Sequence, residues 1–187
     1  TEQSECKICY KGHYCPYGSV NPIGCGTGKY TNKTGMINEN NCTNCSVGKY
    51  SSKGGQDSCT LCEAGKYTQN TGQSKCLDCI KGHYCPGNTS LLPCPAGTYV
   101  NTTNSNSISN CKQCEIGRVN DKVGQLSCDI CQSSTYMNEI GKTNCKICLD
   151  GTYNDLTEQS ECKICYKGHY CPYGRVNPIG CGTGKYT

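Results

Sequence analysis

Cysteine is the residue type of this chain most able to do chemistry, and its spacing is regular. Cys-x-x-Cys pairs begin at Cys6, Cys42, Cys59, Cys76, Cys111, Cys128, Cys145 and Cys162, and five of the steps between successive pairs are 17 residues. Three chemistries use such pairs. Two pairs together hold one zinc ion in a thiolate tetrahedron, and the 13 residues between Cys45 and Cys59 come close to that spacing. A single pair closed on itself is a tight, reducible ring. Cysteines of successive pairs can instead be joined as structural disulfides.

The pattern favours the third. The pairs run as a continuous ladder rather than in isolated sets of four, Cys15 and Cys85 stand alone, and 22 cysteines do not divide by four. The simplest ladder joins the second cysteine of one pair to the first of the next. It predicts Cys9–Cys15, Cys25–Cys42, Cys45–Cys59, Cys62–Cys76, Cys79–Cys85, Cys94–Cys111, Cys114–Cys128, Cys131–Cys145, Cys148–Cys162 and Cys165–Cys171. Cys6 and Cys181 are left over, with partners expected outside this stretch. An interlocked pattern, Cys42–Cys59 with Cys45–Cys62, stays open at this point. Closing each loop of about 15 residues contributes about 3 kcal/mol through the unfolded state.

Other chemistry is sparse. His13, His83 and His169 all lie in Lys-Gly-His-Tyr-Cys-Pro, and their recurrence there fits a turn better than a metal ligand. With every thiol used in a bridge, no nucleophile set can be assembled, and no Asp-rich calcium loop occurs. The chain reads as a non-enzyme without metal or cofactor. Its polar signal is the glycosylation sequon. Asn32-Lys-Thr and Asn101-Thr-Thr each fall seven residues after the cysteine opening a long loop, and Asn88-Thr-Ser is a third. Asn41 and Asn44 also qualify, with a cysteine in the middle position.

The elements that must position these residues are small. The 187 residues hold 23 Gly, 14 Tyr and no Trp or Phe, and apolar residues are 34% even with Cys and Tyr counted. Such a chain cannot offset its ordering entropy by burial alone, so cross-links must replace a core, in an oxidising compartment. Net charge is +4 with single, scattered lysines, which excludes a nucleic-acid footprint. No apolar run approaches a membrane span. Periodic helical stripes are absent, and Gly-x-Tyr segments suit strands of two to four residues. Gly55, Gly72, Gly124 and Gly141, ten residues after a joint, suit turns with positive φ.

The expected fold is therefore a small disulfide-rich repeat, an elongated solenoid-like rod of short β-hairpin loops with almost no helix, each loop touching only its neighbours. Two cassettes look spliced in, Cys9–Cys25 and Cys79–Cys94. The divisions are a first Gly-His-Tyr-Cys-Pro cassette over 1–24, three loop modules over 25–78, a second cassette over 79–93, four to five modules over 94–164, and a restart over 165–187. Residues 157–187 repeat 1–31 at an offset of 156, with Arg175 for Ser19 as the single change. On this reading the chain opens and closes in mid-repeat and is a piece of a longer secreted polypeptide. The tyrosines Tyr30, Tyr50, Tyr67, Tyr99, Tyr136, Tyr153 and Tyr186 are expected flat on the neighbouring disulfide with a wet hydroxyl, a ligand-binding aromatic ladder being the sharper alternative. Val119 and Ser134 break the Gly-x-Tyr pattern, and their modules are expected to pack differently.

CKICYKGHYCPYG, CLDCIKGHYCPG and CPAGTY resemble the cysteine-rich repeat named after ephrin-receptor tyrosine kinases, and the loop is similar to the first half-module of tumour-necrosis-factor receptors. The resemblance covers essentially the whole chain and is specific for the module, not for a function. Such repeats occur in long arrays in large surface proteins of ciliates and algae, including mastigoneme-type filament proteins. The resemblance implies an extended extracellular array without catalysis or metal. The expected role is a structural glycoprotein of the cell exterior, partnered by identical chains and N-glycans, that forms or sheathes a filament, stalk or coat. The alternative is the ligand-binding or spacer stalk of a receptor or adhesion ectodomain.

Overall fold

A Gly-x-Tyr segment is too short to join a large sheet, so it folds back on the Cys-x-x-Cys that follows it. In the computed structural model, which describes residues 5–186, Lys29–Tyr30 pairs antiparallel with Thr43–Asn44, Lys49–Tyr50 with Thr60–Leu61, and Lys66–Tyr67 with Leu77–Asp78. The pairing continues as Thr98–Tyr99 with Lys112–Gln113, Arg118–Val119 with Asp129–Ile130, Thr135–Tyr136 with Lys146–Ile147, and Thr152–Tyr153 with Lys163–Ile164. The cassettes form the same hairpin: His13–Tyr14 with Ile23–Gly24, His83–Gly87 with Ser90–Pro93, and His169–Tyr170 with Ile179–Gly180. Helix among the described residues is confined to two three-residue 3-10 turns, Glu39–Asn41 and Ile108–Asn110. They fall just before Cys42 and Cys111, in the two longer loops. The architecture is a small disulfide-rich repeat of short hairpins.

Contacts divide the chain into two compact units. The first runs to Cys79 and takes in Cys85–Leu92 and Thr103–Ser107; the second holds Ile80–Tyr84, Pro93–Thr102 and the chain from Ile108 onward.

The core is sulfur and small side chains. Cys25, Cys45, Cys79, Cys94, Cys114, Cys131 and Cys148, each the second cysteine of its joint or its equivalent, are fully buried. Buried with them is the residue after each Gly-x-Tyr tyrosine, or after Val119 in its place: Thr31, Ser51 and Thr68 in the first unit, Val100, Asn120, Met137 and Asn154 in the second. Periodicity does not reveal this position, because its occupants range from Asn to Met. Its polar members are satisfied locally. The Asn154 amide donates to the Thr135 carbonyl at 2.7 Å and accepts from the Leu156 N–H at 3.2 Å.

The cassettes are not insertions. In each, the closing cysteine has moved from the far end of the loop to the position directly after the tyrosine, where Thr31 or Ser51 stands elsewhere. Cys85 is as buried there as those residues are. The position three before Cys94, where other joints carry a cysteine, holds Leu91, which packs against Tyr67, Cys79 and Cys85. Pro22 and Pro178 take that place in the other two.

Candidate functional site, the joint between rings

Ten disulfides close ten rings, seven of the ordinary kind and three in cassettes. Cys45–Cys59, Cys62–Cys76, Cys114–Cys128, Cys131–Cys145 and Cys148–Cys162 each span 14 residues. Cys25–Cys42 and Cys94–Cys111 span 17. Cys9–Cys15, Cys79–Cys85 and Cys165–Cys171 span 6. Cys6 and Cys181 are free thiols. Among the described residues no three His, Cys, Asp or Glu side chains gather as a metal site would need.

Successive rings are joined by three backbone hydrogen bonds, the same three at every joint. The N–H of the ring's own glycine donates to the residue after the next tyrosine: Gly28 to Ser51, Gly117 to Met137. The N–H of the residue after the tyrosine donates beyond the next turn, as Thr31 to Gln56 and Val100 to Gln125. The turn glycine donates back to the cysteine carbonyl, as Gly55 to Cys25 and Gly124 to Cys94. Gly28, Gly117, Thr31, Ser51, Val100 and Met137 are buried, so losing one of their bonds leaves a polar group without its partner.

Contact also reaches the ring after next, contrary to the expectation of neighbour-only packing. A Cβ added at Gly28 would overlap the carbonyl oxygen of Gly72, and one at Gly97 would overlap that of Gly141. Both glycines also have positive φ, 75° and 80°. Gly72 has a similar φ of 70°, but such a Cβ would meet only the Asn44 side chain, at 3.4 Å. Positive φ is thus one requirement of the sequence pattern, and room for a neighbour's turn is a second.

The two pattern-breaking modules pack like the rest, which overturns the expectation for them. Ser134 takes the left-handed conformation at φ 67°, and its N–H donates to Asn154 as glycine does elsewhere. Val119 holds its strand register opposite Asp129. Backbone bonds fix this geometry, so side-chain identity alone does not change it.

The tyrosines divide. Tyr67 lies against Cys79 and Cys85. Tyr153 is 2% exposed, its hydroxyl bonds that of Tyr166, and Lys163 Nζ sits 5.8 Å from its ring centre. Its hydroxyl is therefore not wet, and the bond to Tyr166 with burial pushes its pKa up to about 12. Tyr186 is 94% exposed. Each histidine ring donates Nδ1–H to a lysine carbonyl two residues back, at 3.1 to 3.3 Å for His13, His83 and His169. His13 also lies on the turn at Gly55, and His83 near that at Gly124.

Ion pairs mark the outer face. Lys29 pairs with Glu39 at 2.8 Å and Lys66 with Asp78 at 3.4 Å in the first unit. In the second, Glu139 takes both Lys142 and Lys146, Asp155 takes Lys163, and Arg118 reaches Glu158 at 2.5 Å. Hydrogen bonds from Lys142 and Lys146 hold the Glu139 carboxyl down to about 2. Lys29 and Lys163 lower Glu39 and Asp155 in the same way. Two shallow grooves of similar composition lie here. One of about 320 Å3 has Tyr99, Glu115 and Arg118 on its walls, the other of about 330 Å3 Tyr50, Glu63 and Lys66. Each places the tyrosine of one ring beside a glutamate and a cation of the next.

The sequon asparagines Asn32, Asn41, Asn44, Asn88 and Asn101 are all exposed. Asn88 occupies a left-handed turn at φ 59°, and Asn41 Oδ1 accepts from the N–H groups of Ile37 and Asn38, both at 3.1 Å.

A family model described as tyrosine-protein kinase ephrin type A/B receptor-like matches residues 36–72 and 48–91. The chain is an array of cysteine-rich repeats, ephrin-receptor-like over that stretch. The rings outside it carry the same hairpin and the same joint. A comparison with curated proteins gives no match. The ephrin-receptor-like match over residues 36–91, together with the chain's ten disulfides, points to an extracellular or secreted location and a receptor-like or structural ectodomain. Repeats of this family are typically non-enzymatic. No helix of the described residues is long and apolar enough to cross a membrane.

Proposed function

We propose that this array is a structural glycoprotein of the cell exterior that forms or sheathes a filament, stalk or coat, with identical chains as partners. One observation carries the reading. Thirty-one residues recur at an offset of 156 with a single change, and solvent-facing loop residues recur along with the cysteines. A surface that repeats at a fixed interval presents identical contacts at that interval, and heterologous contacts of that kind build fibres. The division at 24/25, 78/79, 93/94 and 164/165 belongs to this proposal, as do N-glycans on Asn32, Asn101 and Asn88 and then Asn41 and Asn44. Electron microscopy of native material tests the role: filaments or a coat are expected, and a monodisperse monomer overturns it. Glycopeptide mass spectrometry tests the glycans, and bare Asn32 and Asn101 remove that part.

A second reading, the spacer or ligand-binding stalk of a receptor ectodomain, is favoured by the receptor named in the family description. It is the reading that a monodisperse monomer would leave standing.

A further inference from the structure

Residues 5–30 and 161–186 share one sequence apart from Ser19 and Arg175, yet their surroundings differ. At the second site the Cys148–Cys162 ring packs on the segment. Gly151 donates to Cys171, Gly174 to Cys148 and Asn154 to Arg175. The Tyr173 N–H donates to Asp150 at 2.7 Å, and the rings of Tyr153 and Tyr166 meet edge to face at 5.4 Å. At the first site the same residues line an open groove of about 560 Å3 that includes Cys6, Tyr10 and Val20. Val20 is 93% exposed where Val176 is 37%, and Tyr17 is 108% exposed where Tyr173 is 61%. Cys6, exposed and unbonded, stands where Cys162 bonds Cys148.

We propose that this groove is the receiving half of a repeat-to-repeat joint, and that its occupant is the Cys148–Cys162 ring of a second copy of the repeat, joined ahead of Cys6. The inference rests on the array reading and names the contact that would carry it. Apart from Ser19 in place of Arg175, the same side chains and backbone in the groove present the acceptors and apolar surface that the ring covers at residues 165–177. That interface is the continuation of one already formed within the chain. Cys6 then bonds the cysteine equivalent to Cys148. Two thiols lose two protons and two electrons, and a glutathione disulfide accepts them and leaves as two thiols.

The test is a chain in which a further copy of residues 146–161 replaces residues 1–5, refolded in a glutathione redox buffer beside the unextended chain. In the unextended chain iodoacetamide alkylates both Cys6 and Cys181. In the extended chain Cys6 is expected to be protected more than tenfold, with Cys181 still reactive as the internal control. Hydroxyl-radical footprints of Tyr17 and Val20 are expected to fall to those of Tyr173 and Val176 in the same molecule. A second extended chain with Ser for the added Cys148 equivalent separates docking from bonding: its Tyr17 and Val20 footprints should still fall. Cys6 left reactive, or unchanged Tyr17 and Val20 footprints in the extended chain, overturns the proposal. Such a result would leave filaments of native material, and hence the structural role, untouched.

Discussion

The Cys45–Cys59 ring and the Cys79–Cys85 ring differ in where sulfur closes them, after 14 residues in one and after 6 in the other. Their backbone bonds are the same. Gly48 and Gly82 each donate to the residue after the following tyrosine, Thr68 and Val100. Gly72 and Asn104 each donate back to the opening cysteine, Cys45 and Cys79. Cys62 and Cys94 each close the hairpin on the ring's glycine carbonyl. The position of the bridge is therefore free to move while the joint is not. The disulfide limits the unfolded chain; the joint specifies the folded one.

The largest expected effect comes from attacking the joint itself. Gly97→Ala forces a side chain into the left-handed region and against the Gly141 carbonyl, and should cost about 3 kcal/mol or more. Gly72→Ala has a similar φ but meets only the Asn44 side chain, at 3.4 Å, and should cost about 1 kcal/mol. Denaturant unfolding with all bridges intact measures both, and amide exchange at Gly124 and Gly141 should rise in the first variant only. Equal effects would mean that contact with the ring after next carries nothing.

Removing bridges comes next. Cys45→Ala with Cys59→Ala should cost about 3 kcal/mol, and Cys79→Ala with Cys85→Ala about 2 kcal/mol, because the second closes a shorter loop. Amide protection at Cys94 should survive the second change. Its loss would mean that the cassette hairpin depends on its sulfur after all. Asn154→Ala removes a buried donor and acceptor from the position that Cys85 fills in a cassette. It should cost about 1 to 2 kcal/mol by the same unfolding measurement.

The smallest effects are electrostatic. Glu139 should titrate near 2 by carboxyl NMR. Its folded pKa is depressed, so any stabilisation is present above the ordinary carboxylate range and is lost as pH falls toward 2. Lys146→Ala should move that midpoint up. For Tyr153 the sign is opposite: the neutral hydroxyl is favoured, so its contribution is full below the ordinary tyrosine range and lost as pH rises toward 12. Tyr166→Phe should bring Tyr153 back toward that ordinary range in an ultraviolet titration.

Cysteine spacing made the rings legible, since the interval between Cys45 and Cys59 is the ring. The turn at Gly55 was equally readable, because few other residues accept its positive φ. What covers Gly28 was not readable, because the covering atom is the Gly72 carbonyl and every residue has one. The position shared by Thr31, Met137 and Asn154 escaped for a similar reason: its burial is imposed by the joint and not by hydrophobic pattern. The cassettes read as insertions because a moved cysteine and an added segment look alike in spacing. Only the register of His13–Tyr14 against Ile23–Gly24 separates them.

Non-reducing digestion with mass spectrometry of the native protein tests the central claim most directly. Peptides linking Cys45 to Cys59, Cys9 to Cys15 and Cys79 to Cys85 are expected, one closure per ring with the bridge moved in the cassettes. A peptide linking Cys45 to Cys62, or Cys15 to Cys25, would contradict it.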